Sequence, residues 1–131
     1  MRVLVVGSGG VGDAVARIAV ERDFFDRLVV ADYDEARARA TVAAATARRE
    51  GEARLVAARV DASSSEAVAA LAREHGITHV LNAVDPRFVM PVFEGALAAG
   101  ADYLDMAMSL SRPHPQRPYE ESGEKLSLIH I

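Results

Sequence analysis

Val3-Leu4-Val5-Val6-Gly7-Ser8-Gly9-Gly10-Val11-Gly12 decides how the rest of the chain is read. Four large apolar residues, mostly β-branched, run straight into a glycine cluster. A helical spacing of apolar residues follows at Val11, Ala14, Val15, Ile18 and Ala19. An apolar run bounded by glycines fits a strand buried on both faces, as in a parallel sheet. Gly7, Gly9 and Gly12 fit G-x-G-x-x-G, and each has a separate task. The first allows the tight turn out of the strand, the second lets a pyrophosphate approach the backbone, and the third lets the helix pack closely on the sheet. The free N–H groups and positive dipole end of a helix starting near Gly10 would face that anion. The stretch therefore predicts a dinucleotide site.

Outward from this loop, strands and helices alternate. A first helix is expected from about Gly10 to Arg22, with Asp13, Arg17 and Glu21 forming i,i+4 pairs on its outer face. A second strand, Arg27 to Ala31, ends at Asp32; Asp34 can cap an alanine-rich helix running to about Arg49, with Gly51 in its C-terminal turn. A third strand spans Arg54 to Val60. Ser63 and Glu66 have capping-box spacing before the next helix, which Gly76 ends. The fourth strand is Thr78 to Val84. A helix from Pro91 to Ala99, with Pro91 at its first position, is closed by Gly100, and Tyr103 to Asp105 is the fifth strand. From Ser109 onward, Pro113, Pro115 and Pro118 predict a loop or linker. Five alternations predict an α/β doubly wound parallel sheet of order 3-2-1-4-5, with its ligand crevice where the order reverses between strands 1 and 4.

Composition narrows the function classes. The 131 residues suffice for one domain, and 50% hydrophobic with 26% charged residues is ordinary for a globular protein. A net charge of −4 argues against nucleic acid as partner, because phosphate binding needs clustered Lys and Arg. There is no cysteine, so disulfides and thiolate chemistry are excluded. The opening apolar run is too short for an export signal or a membrane span, so a soluble cytoplasmic protein with no membrane partner is expected. No H-x-x-H, C-x-x-C or D-x-D-x-D-G spacing occurs, so no metal site is expected. Neither a G-x-S-x-G nucleophile nor the G-K-[ST] of a nucleoside-triphosphate loop is present.

The remaining candidates cluster at strand ends. Asp32 lies 20 residues beyond Gly12, where a carboxylate accepts hydrogen bonds from the adenosine ribose; the alternative is an ordinary turn or cap aspartate. Its charge repels a 2′-phosphate, so NAD is the expected cofactor. NADP is disfavoured rather than excluded, since Arg37 could swing back one helical turn. Asp61 and Ala62 could border the adenine, or Asp61 could simply open a helix. Asn82, Ala83 and Val84 end the fourth strand beside the crevice, where small residues let a cofactor pass; Asn82 could instead satisfy its own turn. Arg87 could hold a substrate carboxylate or be a solvated loop residue. Asp105 points to the crevice end, where a turn-capping role competes with ligand contact. His75 and His79 read as structural, and His114 lies in the proline-rich segment. No catalytic residue emerges.

Taken together, VLVVGSGGVG, VVADYD, VLNAVDPRF and FEGALAAGADYLDMA resemble the N-terminal domain of the saccharopine dehydrogenase family over roughly Met1 to Ser111. That family includes saccharopine reductases, lysine 6-dehydrogenase and carboxynorspermidine synthase. The resemblance implies a Rossmann-type NAD(P)-binding domain in which Gly7, Gly9, Gly10, Val11 and Gly12 hold the pyrophosphate, with Ser8 in the same loop, and Asp32 holds the ribose. Asp61, Ala62, Asn82 and Ala83 complete the cofactor wall, with Val84 beside them. Members using NADP tend to carry a small polar or basic pair where this chain has Asp32-Tyr33, which places it nearer the NAD-using branch. The implied reaction is hydride transfer to or from an amino-acid-derived imine or secondary amine, with an amino-acid or polyamine substrate. The family's substrate and catalytic groups sit mostly in a second domain. The competing class is a non-catalytic NAD-sensing regulatory domain of a potassium transport system, which shares the glycine loop and the ribose acid.

The tail bears on domain organisation. Lys125 is the only lysine in a chain rich in arginine, and Leu126-Ser127-Leu128-Ile129-His130-Ile131 departs from that bias. These six residues spell one reading frame of a common transposon-based sequencing adapter; the alternative is a genuine frayed strand. The expected organisation is a binding domain over 1–108, the start of a linker to a substrate domain over 109–125, and an adapter scar over 126–131. The chain would then be a fragment, and a homo-oligomer of the full-length protein is compatible with it.

Overall fold

Strand β1 (Arg2–Val6) is the centre of the sheet, paired in parallel with β2 (Arg27–Asp32) on one edge and β4 (His79–Asn82) on the other. Strand β3 (Leu55–Arg59) pairs with β2 and β5 (Asp102–Asp105) with β4, both in parallel. The order β3-β2-β1-β4-β5 is the one the alternating pattern predicts. The computed structural model describes residues 1–106, 111–112, 114–117 and 124–125.

The uninterrupted apolar run of β1 has a direct physical reason. Successive side chains of a strand point to opposite faces, and here both faces are covered. Leu4 and Val6, with Val29 and Ala31, pack on Val68, Leu71 and Ala72 of α3 (Ser65–Glu74) and Val92 and Ala96 of α4 (Val89–Ala98). Val3 and Val5, with Leu28 and Val30, meet Ala16 and Ala19 of α1 (Gly10–Ala19) and Ala38 and Ala45 of α2 (Glu35–Thr46). Each fully buried Leu or Val contributes roughly 1.5–3 kcal/mol. The alanine face of α2 lets that helix lie close to the sheet. Among the described residues no helix is long and apolar enough to cross a membrane.

Several boundaries differ from the sequence reading. Helix α1 ends at Ala19, so Glu21 lies beyond it and pairs with Arg48 at 3.0 Å, while Asp13 and Arg17 form the expected pair at 2.9 Å. Asp34 caps α2 as expected, accepting from the Ala36 N–H at 3.0 Å. The cap of α3, however, is Ser64, which accepts from the Ala67 N–H; Asp61 has already engaged the Ser63 N–H and hydroxyl in its own turn. Pro91 is the third residue of α4 rather than its first, because a 3₁₀ turn (Pro86–Phe88) capped by Asp85 leads directly into the helix at Val89. Proline is tolerated there since its missing N–H belongs to the first turn, which has no intrahelical acceptor. Gly76 and Gly100, just beyond α3 and α4, adopt positive φ as helix-ending glycines do; α2 ends at Thr46 rather than near Arg49, so Gly51, also at positive φ, sits in the connection five residues past the helix and not in its C-terminal turn.

Where a loop or linker was expected, β6 (Ser111–Arg112) and β7 (Glu124–Lys125) form a two-residue antiparallel pair. The three prolines, which cannot donate to a ladder, fall between the paired segments. The proposed scar at 126–131 lies outside the described residues.

The C-terminal end of α1 is held by two arginines from the α2–β3 connection. Arg54 donates to the carbonyls of Arg22 (2.7 Å) and Val20 (3.2 Å), and Arg49 to the carbonyl of Val20 (3.1 Å). Arg54 also lies over the Phe25 ring, 4.0 Å from its centroid. Glu52 fixes this guanidinium with both carboxylate oxygens, from Nε at 2.8 Å and Nη2 at 2.7 Å. The hydrogen bonds from the Arg54 side chain are the main cause that lowers the Glu52 carboxyl to about 2, against the opposing effect of burial. A depressed carboxylate stabilises the fold fully above its unfolded value near 4.5 and loses that contribution as pH falls toward 2. Glu52→Gln should therefore lower stability in urea denaturation at pH 6, and the gap to the parent protein should close as the pH approaches 2.

Candidate functional site

The site is built on the turn that leaves β1. Gly7 has φ of +103°, and its N–H still reaches the Ala31 carbonyl of β2 at 2.7 Å. A Cβ on Gly7 would stand 2.6 Å from Cγ1 of Val84 and 2.9 Å from the Ala83 carbonyl oxygen. Gly12, in the first turn of α1, faces the same turn: a Cβ there would stand 1.8 Å from the Gly7 carbonyl oxygen. Gly9 caps α1 without a side chain to satisfy the first N–H groups. The amino end of the helix, carrying partial positive charge, is thus left open to a ligand's acceptor atoms.

A cleft of about 530 Å³ lies against this turn at the carboxyl ends of the strands. Gly7 and Gly9 line it from the turn after β1, Asp32 and Tyr33 from the end of β2 and the residue beyond it, Asp61 and Ala62 from the segment after β3, and Ala83 and Val84 from the segment after β4. Asp32 accepts three hydrogen bonds: Oδ2 from the Ser8 N–H and the Ser8 hydroxyl, each at 2.9 Å, and Oδ1 from the Asp34 N–H at 2.9 Å. Desolvation pushes its pKa up, but those hydrogen bonds and the charge of Arg37 outweigh it and hold the carboxyl below its ordinary value. Arg37 lines the cleft beside Gly9, where a Cβ would lie 3.6 Å from Nη2. Arg59 stacks over Tyr33, 4.6 Å from the ring centroid, and forms a cationic, aromatic edge at the Asp32 end. Asp61 is lowered by the hydroxyl and then the N–H of Ser63.

A second hollow of about 200 Å³ shares Ala83 and Val84 with the cleft and is also lined by Val11, Asn82, Pro86, Val89, Asp105 and Met106. Asn82, 2% exposed, ties its parts together. Its Oδ1 accepts from the Val84 N–H at 3.1 Å, and its Nδ2 donates to the Tyr103 hydroxyl at 3.1 Å. That hydroxyl donates in turn to Asp105 Oδ2 at 2.7 Å. Burial is the main reason the Tyr103 phenol is pushed up, with the neighbouring Asp105 carboxylate adding to it, so the hydroxyl stays a donor. Arg87 donates from Nε to Asp85 at 3.0 Å.

The twelve residues expected at the site thus divide into three groups. Gly7, Gly9, Asp32, Asp61, Ala62, Ala83 and Val84 face the main cleft, and Val11 and Asn82 face the second hollow. Gly12 packs beneath the turn, Gly10 opens α1, and Ser8 is buried behind the loop. Tyr33, Val60, Ser63 and Phe88 also line the cleft, though none was named as a cofactor contact. Tyr33 and Phe88 lie in stretches that carry the family resemblance, and Val60 and Ser63 flank Asp61-Ala62. His79 stands at the amino end of β4, away from the cleft, near Asp102 at 3.4 Å. The carbonyl of His75 accepts from Arg2 Nε at 2.7 Å. Neither lines the cleft.

Comparison with known proteins agrees with this geometry. The family model described as the saccharopine dehydrogenase NADP binding domain matches residues 3–128. Saccharopine dehydrogenase (L-Glu forming) from Saccharomyces cerevisiae shares the fold at 19% identity and a TM-score of 0.65, over 82% of this chain and 22% of that one. Quinate dehydrogenase from Corynebacterium glutamicum, solved with NAD, is 27% identical with a TM-score of 0.52, over 79% of this chain and 43% of that one. A short-chain dehydrogenase/reductase from Brucella melitensis is 22% identical with a TM-score of 0.58, over 81% and 56%. The chain therefore spans about a fifth of the yeast enzyme's length.

Three substitutions probe the architecture. Gly12→Ala should cost about 3 kcal/mol or more, since the added carbon meets backbone rather than a movable side chain. Gly10→Ala, with nothing within 4 Å of its Cβ, should hold or raise stability by up to about 1 kcal/mol in the same urea titration. Asn82→Ala should cost about 1–3 kcal/mol by leaving the Val84 N–H buried and unpaired.

Proposed function

This chain belongs to the saccharopine dehydrogenase NADP binding domain family, and from that premise we propose that it is the cofactor-binding part of an oxidoreductase acting on an amino-acid-derived imine or secondary amine, with NAD as preferred cofactor. One observation carries the reading. The glycine turn, the open amino end of α1 and the ionised Asp32 carboxylate all border one cleft at the point where the strand order reverses.

The residues fit the cofactor. Gly7 and Gly12 lie where a Cβ would collide with backbone, so the loop stays flat enough for a pyrophosphate to approach. The N–H groups at the start of α1 then face its oxygens. Asp32 holds the adenosine ribose, Asp61 and Ala62 border the adenine, and Asn82, Ala83 and Val84 wall the path toward the second hollow. When bound, the nicotinamide supplies the hydride chemistry, and the protein's part is to bind and orient it. Asn82 fixes the end of β4 through Val84 and Tyr103, and the Tyr103 hydroxyl holds the Asp105 carboxylate in place. The substrate class rests on the family alone. In this reading residues 1–108 are the dinucleotide-binding unit, residues 109–125 begin a connection, and substrate-handling groups come from further protein. The 22% share of the yeast chain that is spanned supports this division.

The preference for NAD rests on charge. Asp32 stays ionised and repels a 2′-phosphate, while Arg37, on the same cleft, offsets part of that repulsion and leaves NADP as the weaker ligand. Asp32→Ala should weaken NAD about 10- to 100-fold, the value of one or two hydrogen bonds to a charged group, and should narrow the preference over NADP. Arg37→Ala should weaken NADP while leaving NAD nearly unchanged. An unaltered NAD-to-NADP ratio in Asp32→Ala, read by calorimetric titration, would overturn the ribose assignment.

A further inference from the structure

Ser8 occupies the variable position between the first two motif glycines, where direct contact with the pyrophosphate would be the simplest role. The structure places it otherwise. The residue is 6% exposed and does not line the cleft, whereas Gly7 and Gly9 on either side of it do. A serine hydroxyl carries one proton, and here it is donated to Asp32 Oδ2 at 2.9 Å. The Ser8 N–H donates to the same oxygen at the same distance, so both acceptor directions of Oδ2 are filled. Among the described residues Oδ1 accepts only from the Asp34 N–H, which leaves it one acceptor direction, and the residue lines the cleft.

From this arrangement we infer that Ser8 is a positioning residue for the adenosine ribose: its hydroxyl fixes the Asp32 carboxylate in the orientation that presents Oδ1 to a ribose hydroxyl, and it makes no contact with the dinucleotide. The inference rests on the proposed role of Asp32. It explains why a polar side chain is buried in a loop otherwise made of glycine, and it couples the two halves of the site. The loop that receives the pyrophosphate and the acid that receives the ribose are joined by two hydrogen bonds across 24 positions of sequence.

Two ligands separate this role from direct contact. ADP and 2′,3′-dideoxy-ADP share adenine and diphosphate, but only ADP carries the ribose hydroxyls. In calorimetric titration of the full chain, Ser8→Ala should weaken ADP about three- to tenfold, as expected for one lost hydrogen bond, and leave the dideoxy ligand within about twofold. In an Asp32→Ala background, Ser8→Ala should have no further effect on ADP. Ser8→Cys, close in size but a weak donor, serves as a second variant should the alanine protein not fold, and should show the same selective loss. Equal weakening of both ligands, or an undiminished effect of Ser8→Ala without Asp32, would show that Ser8 acts on the phosphates and overturn the inference. If Asp32→Ala itself weakens both ligands equally, the ribose assignment fails, and this inference fails with it for that separate reason.

Discussion

At Gly12 the helix presses on the carbonyl of Gly7 with no room for a Cβ, and this contact governs the rest of the molecule. It brings α1 onto the sheet immediately after the strand, so that Val3 and Val5 can be covered by Ala16 and Ala19. It also aims the open end of α1 at the line where β1 and β4 part company. A bulkier residue would lift the helix, uncover one face of β1 and move its N–H groups away from the cleft. Core packing and ligand geometry thus share one steric constraint, which is why the cleft needs no large loops of its own.

Asp32 shows a second economy. The carboxylate that lines the cleft at the end of β2 is also the acceptor that keeps Ser8 and the turn at Asp34 in place. Desolvation raises its pKa, but the hydrogen bonds from Ser8 and Asp34, with the charge of Arg37, outweigh it and hold the carboxyl below its ordinary value, so the negative charge is maintained largely by the loop itself. On the far side of the crevice Asn82 has a comparable position. Its amide reaches both the backbone of its own strand end and, through Tyr103, the carboxylate of the neighbouring strand. Each of these polar residues is held by protein groups before any ligand arrives, as preorganised recognition requires.

The parts legible in the sequence were those governed by periodicity and by glycine. The double-sided apolar run of β1, the five alternations and the strand order followed from patterns that do not depend on distant contacts. The misplacements have local causes. Ser63 and Ser64 are adjacent candidates for the same cap, and only the prior capture of Ser63 by Asp61 decides between them. The third position of Pro91 depends on a 3₁₀ turn running into α4 without a break. Around the cleft, the glycines and strand-end residues named by motif or position lie close together, but the stack of Arg59 on Tyr33 was not legible, since it joins the ends of two segments 26 positions apart. The contact of Ser8 was equally hidden: its neighbours in the chain are the motif glycines, whereas its partner in space is Oδ2 of Asp32.

The clamp on α1 has a chemical consequence beyond its stabilising role. The groups that close on the carbonyls of Val20 and Arg22 belong to Arg49 and Arg54, and Arg37, Arg59 and Arg87 are cations beside the cleft. A guanidinium keeps its proton throughout the range in which proteins remain folded, so acid or base reaches these contacts only through their carboxylate partners. With Lys125 as the single lysine, reagents and enzymes that acylate side-chain amines have no target in the clamp or around the cleft. Helix α1, whose amino end borders the cleft, is thereby insulated from a whole class of covalent modification by the choice of one cation over another.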